Sequence, residues 1–306
     1  MKSSVALVSA SEALALDEDM PPLRAALTDA GAEVETPCWD DPAADWSRYD
    51  AAVLRSTWDY VERLDEFLAW AARCAAQTRL LNPPGVIRWN TDKRYLTDLQ
   101  RAGVAVVPTR FVDPGDDAAP EIDRFLEGGG ASLSVGTPEP FDEFVVKPAV
   151  GAGSRDAARY HRVDRDAAIA HVDRLLGAGR VVMLQPYLGR VDAHGETAVV
   201  YLGGRYSHAI RKGPLLKRGD DLVQGLFAPE DITPRTPTSA ELAVAAAAYA
   251  AIPTDPPVYA RIDLVRDGRD APVVLELELT EPSLFLGYAD GAAQRCARAL
   301  LDTLRS

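Results

Sequence analysis

Three carboxylates and an arginine sit close together late in the chain: Arg261 and Asp263 in "VYARIDLV", and Glu276 and Glu278 in "LELELTEPS". Side chains in a strand alternate faces with period 2, so Leu275, Leu277 and Leu279 point one way and the two glutamates the other. The same alternation sets Arg261 and Asp263 on one face, opposite Ala260, Ile262 and Leu264. Between the runs, "RDGRDAP" carries the Asp-Gly signal of a hairpin turn, which folds the three carboxylates onto one spot beside Arg261. An edge strand with one solvated face is the plainer reading of such alternation. Converging carboxylates, however, repel and raise each other's pKa. An oxygen-rich spot of that kind suits Mg²⁺ shared with phosphates.

Other segments supply what a phosphate-bearing ligand needs. Lys93 falls in the first turn of a helix expected over "NTDKRYLTDLQRAG", capped by Asn90 or Thr91 and stopped at Gly103. "FVVKPAVGAGSRDAARY" reads as an apolar strand ending in Lys147, where a lysine is costly to bury. The small residues Gly151, Ala152, Gly153 and Ser154 follow, and their backbone N–H groups can approach an anion closely. "VVMLQPYLG" is an apolar strand ending in Gln185, Pro186, Tyr187 and Leu188, which can meet a base edge through an amide and main-chain groups. Taken together, these features predict a magnesium–nucleotide site. Competing motifs fail. "GAGSRD" lacks the third glycine of a dinucleotide fingerprint, and "HRVDRD" lacks the asparagine of a kinase catalytic loop. No Walker lysine motif exists, and His161, His171, His194 and His208 have no metal-ligand spacing. Trp58 and Tyr60 serve equally well as packing residues or as a substrate wall.

The elements that must position these residues change character along the chain. The first ninety residues alternate strand and helix, which implies a parallel, Rossmann-like sheet. Arg55, Ser56, Thr57 and Asp59 in "LRSTWDY" fall at a strand end, where such sheets bind ligands. "NPPG" at 82–85 breaks the chain. A strand is expected from Val104 to Val107, then loops at "DPGDDAAPEI" and "EGGGASLSVGTPEP". Residues 143–212 are rich in strands with one helix, "DRDAAIAHVDRLLGAG"; an Ala-rich helix, a hairpin from Tyr259 to Leu279 and a final helix close the chain. The first part is therefore α/β and the second α+β, with no internal repeat.

A net charge of −13 opposes nucleic-acid and anionic-membrane partners but not a small anionic ligand. Cys38, Cys74 and Cys296 form no disulfide framework. "MKSSVALVSASEALALDED" is broken by Ser9, Ser11 and Glu12, so Val5 to Val8 reads as a strand rather than a signal peptide. "LAVAAAAYAAI" is too short to span a bilayer. A cytoplasmic protein is expected, and homo-oligomerisation is left open.

The order and spacing of these motifs resemble the ATP-grasp superfamily, especially its glutathione-synthetase-like branch, over essentially the whole chain. The resemblance implies an ATP-grasp fold: an N-terminal Rossmann-like (pre-ATP-grasp) substrate domain at 1–88, a small lid at 89–187 and a C-terminal antiparallel-sheet subdomain at 188–306. It implies that Lys93 and Lys147 hold the ATP phosphates and that the loop from Gly151 to Ser154 closes over them. Gln185, Tyr187 and Leu188 would hold adenine, and Glu196 ribose. Arg211, Lys212 and Arg261 would face the transferring phosphoryl group, while Asp263, Glu276 and Glu278 would ligate two Mg²⁺. Two positions depart from the family pattern: Glu278 replaces a usual asparagine, and Ala198 stands where an arginine is expected. "RSTWDY" with "LELELTEPS" is similar to the D-cycloserine synthetase family. That likeness implies a carbon–nitrogen ligase closing O-ureido-D-serine, a small amino-acid-like carboxylate, with Arg55 holding the substrate and Ser56, Thr57 and Ser283 hydrogen-bonding to it. An intermolecular carboxylate–amine ligase, a phosphotransferase and a non-catalytic nucleotide-binding module are the alternatives.

Overall fold

Strand β1 (Ser4–Ser9) has five of its six residues buried, the mark of a strand covered on both faces. In the computed structural model, which describes residues 2–129, 141–216, 231–253 and 256–305, β1 lies inside a parallel sheet. It is flanked by β2 (Glu33–Glu35) and β3 (Ala51–Ser56), and β4 (Arg79–Leu81) follows, giving the order β2-β1-β3-β4. Alternation along β1 serves two cores. Val5 and Leu7 meet Leu23 and Leu27 of α1 (Met20–Asp29) and Leu300 and Leu301 of the last helix. Ala6 and Val8 meet Phe67 and Trp70 of α2 (Leu64–Ala75).

Two short helices, α3 (Pro84–Asn90) and α4 (Tyr95–Arg101), replace the single helix expected around Lys93, which lies in the turn between them. The reason is local. The Asn90 amide donates to Leu277 O at 2.7 Å and accepts from Leu279 N at 2.7 Å, so it serves a distant strand and caps nothing. Nor does a strand form from Val104 to Val107. That stretch makes only a parallel bridge, Val106 to Val274, and the strand is β5 (Arg110–Val112). The expected loop "DPGDDAAPEI" is part helix, because Asp117 caps α5 (Ala118–Arg124). Most of "EGGGASLSVGTPEP" lies outside the described residues.

β6 (Glu143–Pro148), β7 (Ala158–His161), α6 (Arg165–Gly177) and β8 (Val182–Pro186) complete a second sheet, β5-β8-β6-β7, whose pairs are antiparallel. Phe144 and Val146 pack it onto Ile122 of α5 and Val172 and Leu175 of α6. A short helix α7 (Val191–His194) then leads into β9 (Glu196–Leu202), β10 (Arg205–Lys212) and β11 (Ile232–Pro234). Helix α8 (Ser239–Ala250), the hairpin β12 (Tyr259–Arg266) and β13 (Pro272–Glu278), and α9 (Ala292–Arg305) follow. This third sheet, in the order β11-β10-β9-β12-β13, is antiparallel. Its apolar face, with Val199, Ile262 and Leu277, is covered by Ala245 and Ala248 of α8 and by Tyr95, Leu96 and Leu99 of α4. The polar face is left for the site. Among the described residues, no helix is long and apolar enough to cross a membrane.

Candidate active site

Register across the third sheet assembles the charged face. Asp263 stands opposite Glu276 and Arg261 opposite Glu278 in the hairpin, while Lys212 stands opposite Glu196 between β10 and β9. Directly opposite residues in an antiparallel pair share a face, so all six project from one side of the sheet. A cleft opens there, and its wall is completed by Lys147 and the Gly151–Ser154 loop of the second sheet and by Trp58 and Tyr60 of the first.

Cations are interleaved with the carboxylates. Lys93 Nζ lies 2.8 Å from Glu276 Oε1 and donates to Gly151 O at 2.8 Å, tying the floor to the glycine-rich loop. Lys212 Nζ reaches Asp263 Oδ2 at 2.8 Å and Glu196 Oε2 at 3.0 Å. Arg261 grips Asp263 with Nε and Nη2, each at 2.9 Å, pairs with Glu278, and donates to Ser283 O at 3.0 Å. The three carboxylates share a face, and each is held by its own cation, so that among the described residues no group of three acidic, histidine or cysteine side chains is gathered closely enough to hold a metal by itself. In a site screened from water, like charges separate and each takes a cation.

The pKa shifts follow these partners. Burial pushes the Asp263 carboxyl up, but Arg261 and Lys212 outweigh it and hold the group at about 2. Glu276 is likewise held at about 2 by Lys93 and Lys147 against burial. Burial wins at Glu278, which rises to about 7 despite Arg261, with Asp263 and Glu276 adding to the rise. Lys147 is depressed, chiefly by burial and then by Lys93 and Lys212, with Glu276 and Glu196 opposing.

Each expected site residue can now be placed. Lys93, Lys147, Gly151, Gly153, Ser154, Gln185, Tyr187, Leu188, Glu196, Lys212, Arg261, Glu276, Glu278 and Ser283 line the cleft. Asp263 lies just beneath its floor, fully buried. Gln185 donates to Thr109 Oγ1 at 2.8 Å, and the Tyr187 ring carries Arg159 stacked 3.4 Å above it. Arg211 is not brought to the cleft. It neighbours Lys212 along β10 and so points to the opposite face, where Nε donates to His194 O at 3.0 Å.

Arg55, Ser56 and Thr57 also stay out of the cleft, each at 0% exposure. Ser56 Oγ pairs with Ser9 Oγ at 2.8 Å. Arg55 contacts Asp17 at 3.3 Å and Asp19 at 3.2 Å and donates to Pro282 O at 3.0 Å. A fully buried guanidinium demands anions, and the chain supplies them from the loop before α1. Asp19 in turn accepts from the backbone N–H of Leu284, Phe285 and Leu286 at 2.5, 3.0 and 2.6 Å. Arg55 therefore acts on the 281–286 segment rather than on a ligand directly.

That segment carries the residue the sequence reading missed, Glu281, which lines the cleft beside Tyr60. Its signal was weak, because the period-2 pattern of glutamates ends at Glu278 and Glu281 falls in the irregular stretch beyond the strand. Ala198, opposite Asp263, is covered by Phe285, which also packs on Ile210.

Residues 5–82 match a family model described as the N-terminal domain of D-cycloserine synthetase DcsG. Over 313 aligned residues the chain is 43% identical to the cycloserine biosynthesis protein DcsG of Streptomyces lavendulae, covering 98% of this chain and 99% of that one. The chain belongs to the D-cycloserine synthetase family. Its fold matches the crystal structure of D-cycloserine synthetase DcsG with a TM-score of 0.90 and 42% identity, over 99% of this chain and 100% of that one. D-alanine–D-alanine ligase from Bacillus anthracis, in complex with ATP, is similar in fold alone, with a TM-score of 0.67 and 15% identity over 100% and 97% of the two chains. The family is one of ATP-grasp carbon–nitrogen ligases, and this chain is an ATP-dependent ligase of that class.

Proposed function

We propose that this enzyme closes O-ureido-D-serine into D-cycloserine at the expense of ATP. The observation that carries the reading is 43% identity over nearly the full length of both chains to a cycloserine biosynthesis protein. The cleft supports it chemically. Five carboxylates (Glu196, Asp263, Glu276, Glu278 and Glu281) and five cations (Lys93, Lys147, Arg155, Lys212 and Arg261) line or underlie the cleft. A nucleotide triphosphate would bring several more negative charges beside these carboxylates, and dications would neutralise them. With phosphate oxygens completing the coordination, Glu276, Glu278 and Asp263 would supply the protein's donors to Mg²⁺, in two ions on our reading. Bound there, Mg²⁺ would neutralise phosphate charge and polarise the γ-phosphoryl group.

The protein's own part is positioning and charge. Lys147 has no ion pair or hydrogen bond among the described residues, which leaves its ammonium for the phosphates. Lys93 holds Gly151 and so sets the loop that closes over them. Gln185, Tyr187 and Leu188 frame adenine, and Glu196 meets ribose. Lys212 and Arg261 face the group in transfer. The substrate carboxylate displaces ADP at the γ-phosphorus, giving an acyl phosphate. The oxygen-bound ureido nitrogen of the same molecule then attacks the activated carbonyl, and phosphate leaves. D-cycloserine lacks the carbamoyl group of the substrate, so with water that group departs as CO₂ and ammonia. Holding nucleophile and electrophile in one molecule gives a high effective molarity, so no second amino-acid pocket is required.

The test is to incubate enzyme, Mg²⁺, ATP and O-ureido-D-serine with no other amine, and to follow ADP and ring product by mass spectrometry. ADP release that depends on a second amino acid, with a linear product, would refute cyclisation. ADP release without any C–N bond would indicate a phosphotransferase.

A further inference from the structure

Among the described carboxylates lining the cleft, Glu281 alone makes no ion pair, and Lys93 and Arg261 act on it only at longer range. Glu276 has Lys93, Glu278 has Arg261 and Glu196 has Lys212. The Tyr60 hydroxyl hydrogen-bonds to the Glu281 carboxyl. The backbone around it is clamped from both sides. Trp58 Nε1 donates to Glu281 O at 3.3 Å, Arg55 to Pro282 O and Arg261 to Ser283 O, each at 3.0 Å, and His208 Nε2 lies 2.8 Å from Leu284 O. A carboxylate held this firmly in a cleft, with its counter-charge missing, is built to receive a cation. Burial, with Glu278 beside it, pushes its pKa up to about 8, as expected of an acid lacking that partner.

The placement says which cation. Arg261, read above as facing the group in transfer, donates to the Ser283 backbone, only two residues from Glu281. A guanidinium on β12 and a carboxylate on the segment it is bonded to match the two charges of an α-amino acid, whose ammonium and carboxylate are both carried on the α-carbon. Resting on the function proposed above, we infer that Glu281, aided by Tyr60, binds the α-ammonium group of the substrate and makes the enzyme selective for free amino acids.

Two comparisons test this. In turnover, O-ureido-D-serine is set against its des-amino counterpart, 3-(ureidooxy)propanoic acid. Wild type should favour the amine-bearing substrate strongly. Glu281→Gln should raise its KM roughly 10- to 100-fold, the range for a hydrogen bond to a charged group, with less effect on kcat, on the des-amino substrate or on the Mg²⁺ requirement. Tyr60→Phe, which keeps the ring and removes one bond, should raise the same KM by a smaller factor and covers the case in which the glutamine variant does not fold. The second comparison is binding of D-serine against 3-hydroxypropanoate to the complex with Mg²⁺ and a non-hydrolysable ATP analogue. It reports the ammonium site even if O-ureido-D-serine proves not to be the substrate, so the two readings fail separately. Equal handling of amine and des-amino ligands by wild type, or a Glu281→Gln effect confined to Mg²⁺ dependence, would overturn the inference.

Discussion

Replacing Asp19 by asparagine should loosen the 281–286 segment and, with it, substrate recognition. The Asp19 carboxylate accepts three backbone N–H groups at 2.5, 3.0 and 2.6 Å and lies 3.2 Å from the buried Arg55 guanidinium. An asparagine amide offers one acceptor oxygen and sets N–H against N–H at the other position. It also leaves Arg55 with Asp17 as its only carboxylate partner. Hydrogen bonds to a charged group contribute roughly 1.5–3 kcal/mol each, and breaking a buried ion pair costs about 3–5 kcal/mol. Part of each interaction survives in the Asp19→Asn variant, so a loss of roughly 3–5 kcal/mol follows from the same two terms. At roughly 2–4 °C per kcal/mol for domains of this size, the melting temperature should drop by about 10 °C. Scanning calorimetry measures this, and steady-state ADP release measures the consequence. KM for the amino-acid substrate should rise several-fold, with a smaller change in KM for ATP, because the segment meets the expected nucleotide site through the Arg261 bond to Ser283 O. A melting temperature within about 1 °C of wild type would refute the account of the clamp, and equal shifts in both KM values would refute its confinement to substrate.

Three further perturbations have defined outcomes. Lys147→Ala should weaken binding of a non-hydrolysable ATP analogue at least ~10-fold by calorimetric titration without lowering the stability of the free protein, because it removes a half-buried cation that makes no ion pair among the described residues; unchanged affinity would take Lys147 out of the phosphate site. Gly195 adopts φ +69°, and a Cβ there would lie 2.3 Å from Lys212 O and 2.8 Å from Arg211 Nε. Gly195→Ala should therefore cost roughly 2–4 kcal/mol in chemical denaturation and displace Lys212, and a cost below ~1 kcal/mol would refute the close approach. Finally, Glu281 has a folded pKa of about 8, above its ordinary value of 4.5, so the folded state keeps a proton that the unfolded chain has lost. Its contribution is full below about pH 4.5 and is lost as pH rises through about 8; melting temperature of the free protein should fall over that window and Glu281→Gln should flatten the fall, whereas parallel profiles would exclude a raised Glu281 carboxyl without an ion-pair partner.

How much of this was legible in residues alone depends on the range of the interaction. Period-2 alternation and an Asp-Gly turn are local, so the β12–β13 hairpin and the shared face of Arg261, Asp263, Glu276 and Glu278 could be read directly. The apolar strand closing on Lys147, the small-residue loop after it and the Gln185 strand end were legible for the same reason. Lys93 was found as a residue but misplaced, because Asn90 bonds to β13, far along the chain, instead of capping a helix. Arg55 stands at a strand end and was read as facing a ligand. Its true partners, Asp17, Asp19 and Pro282 O, come from both ends of the chain, and only folding brings α9 and the 281–286 segment onto the first sheet. Tertiary structure likewise decided the electrostatics. Sequence places like charges together, but which carboxylate receives a cation depends on where Lys93, Lys212 and Arg261 reach across strands, and that reach is why Glu281 is left without one.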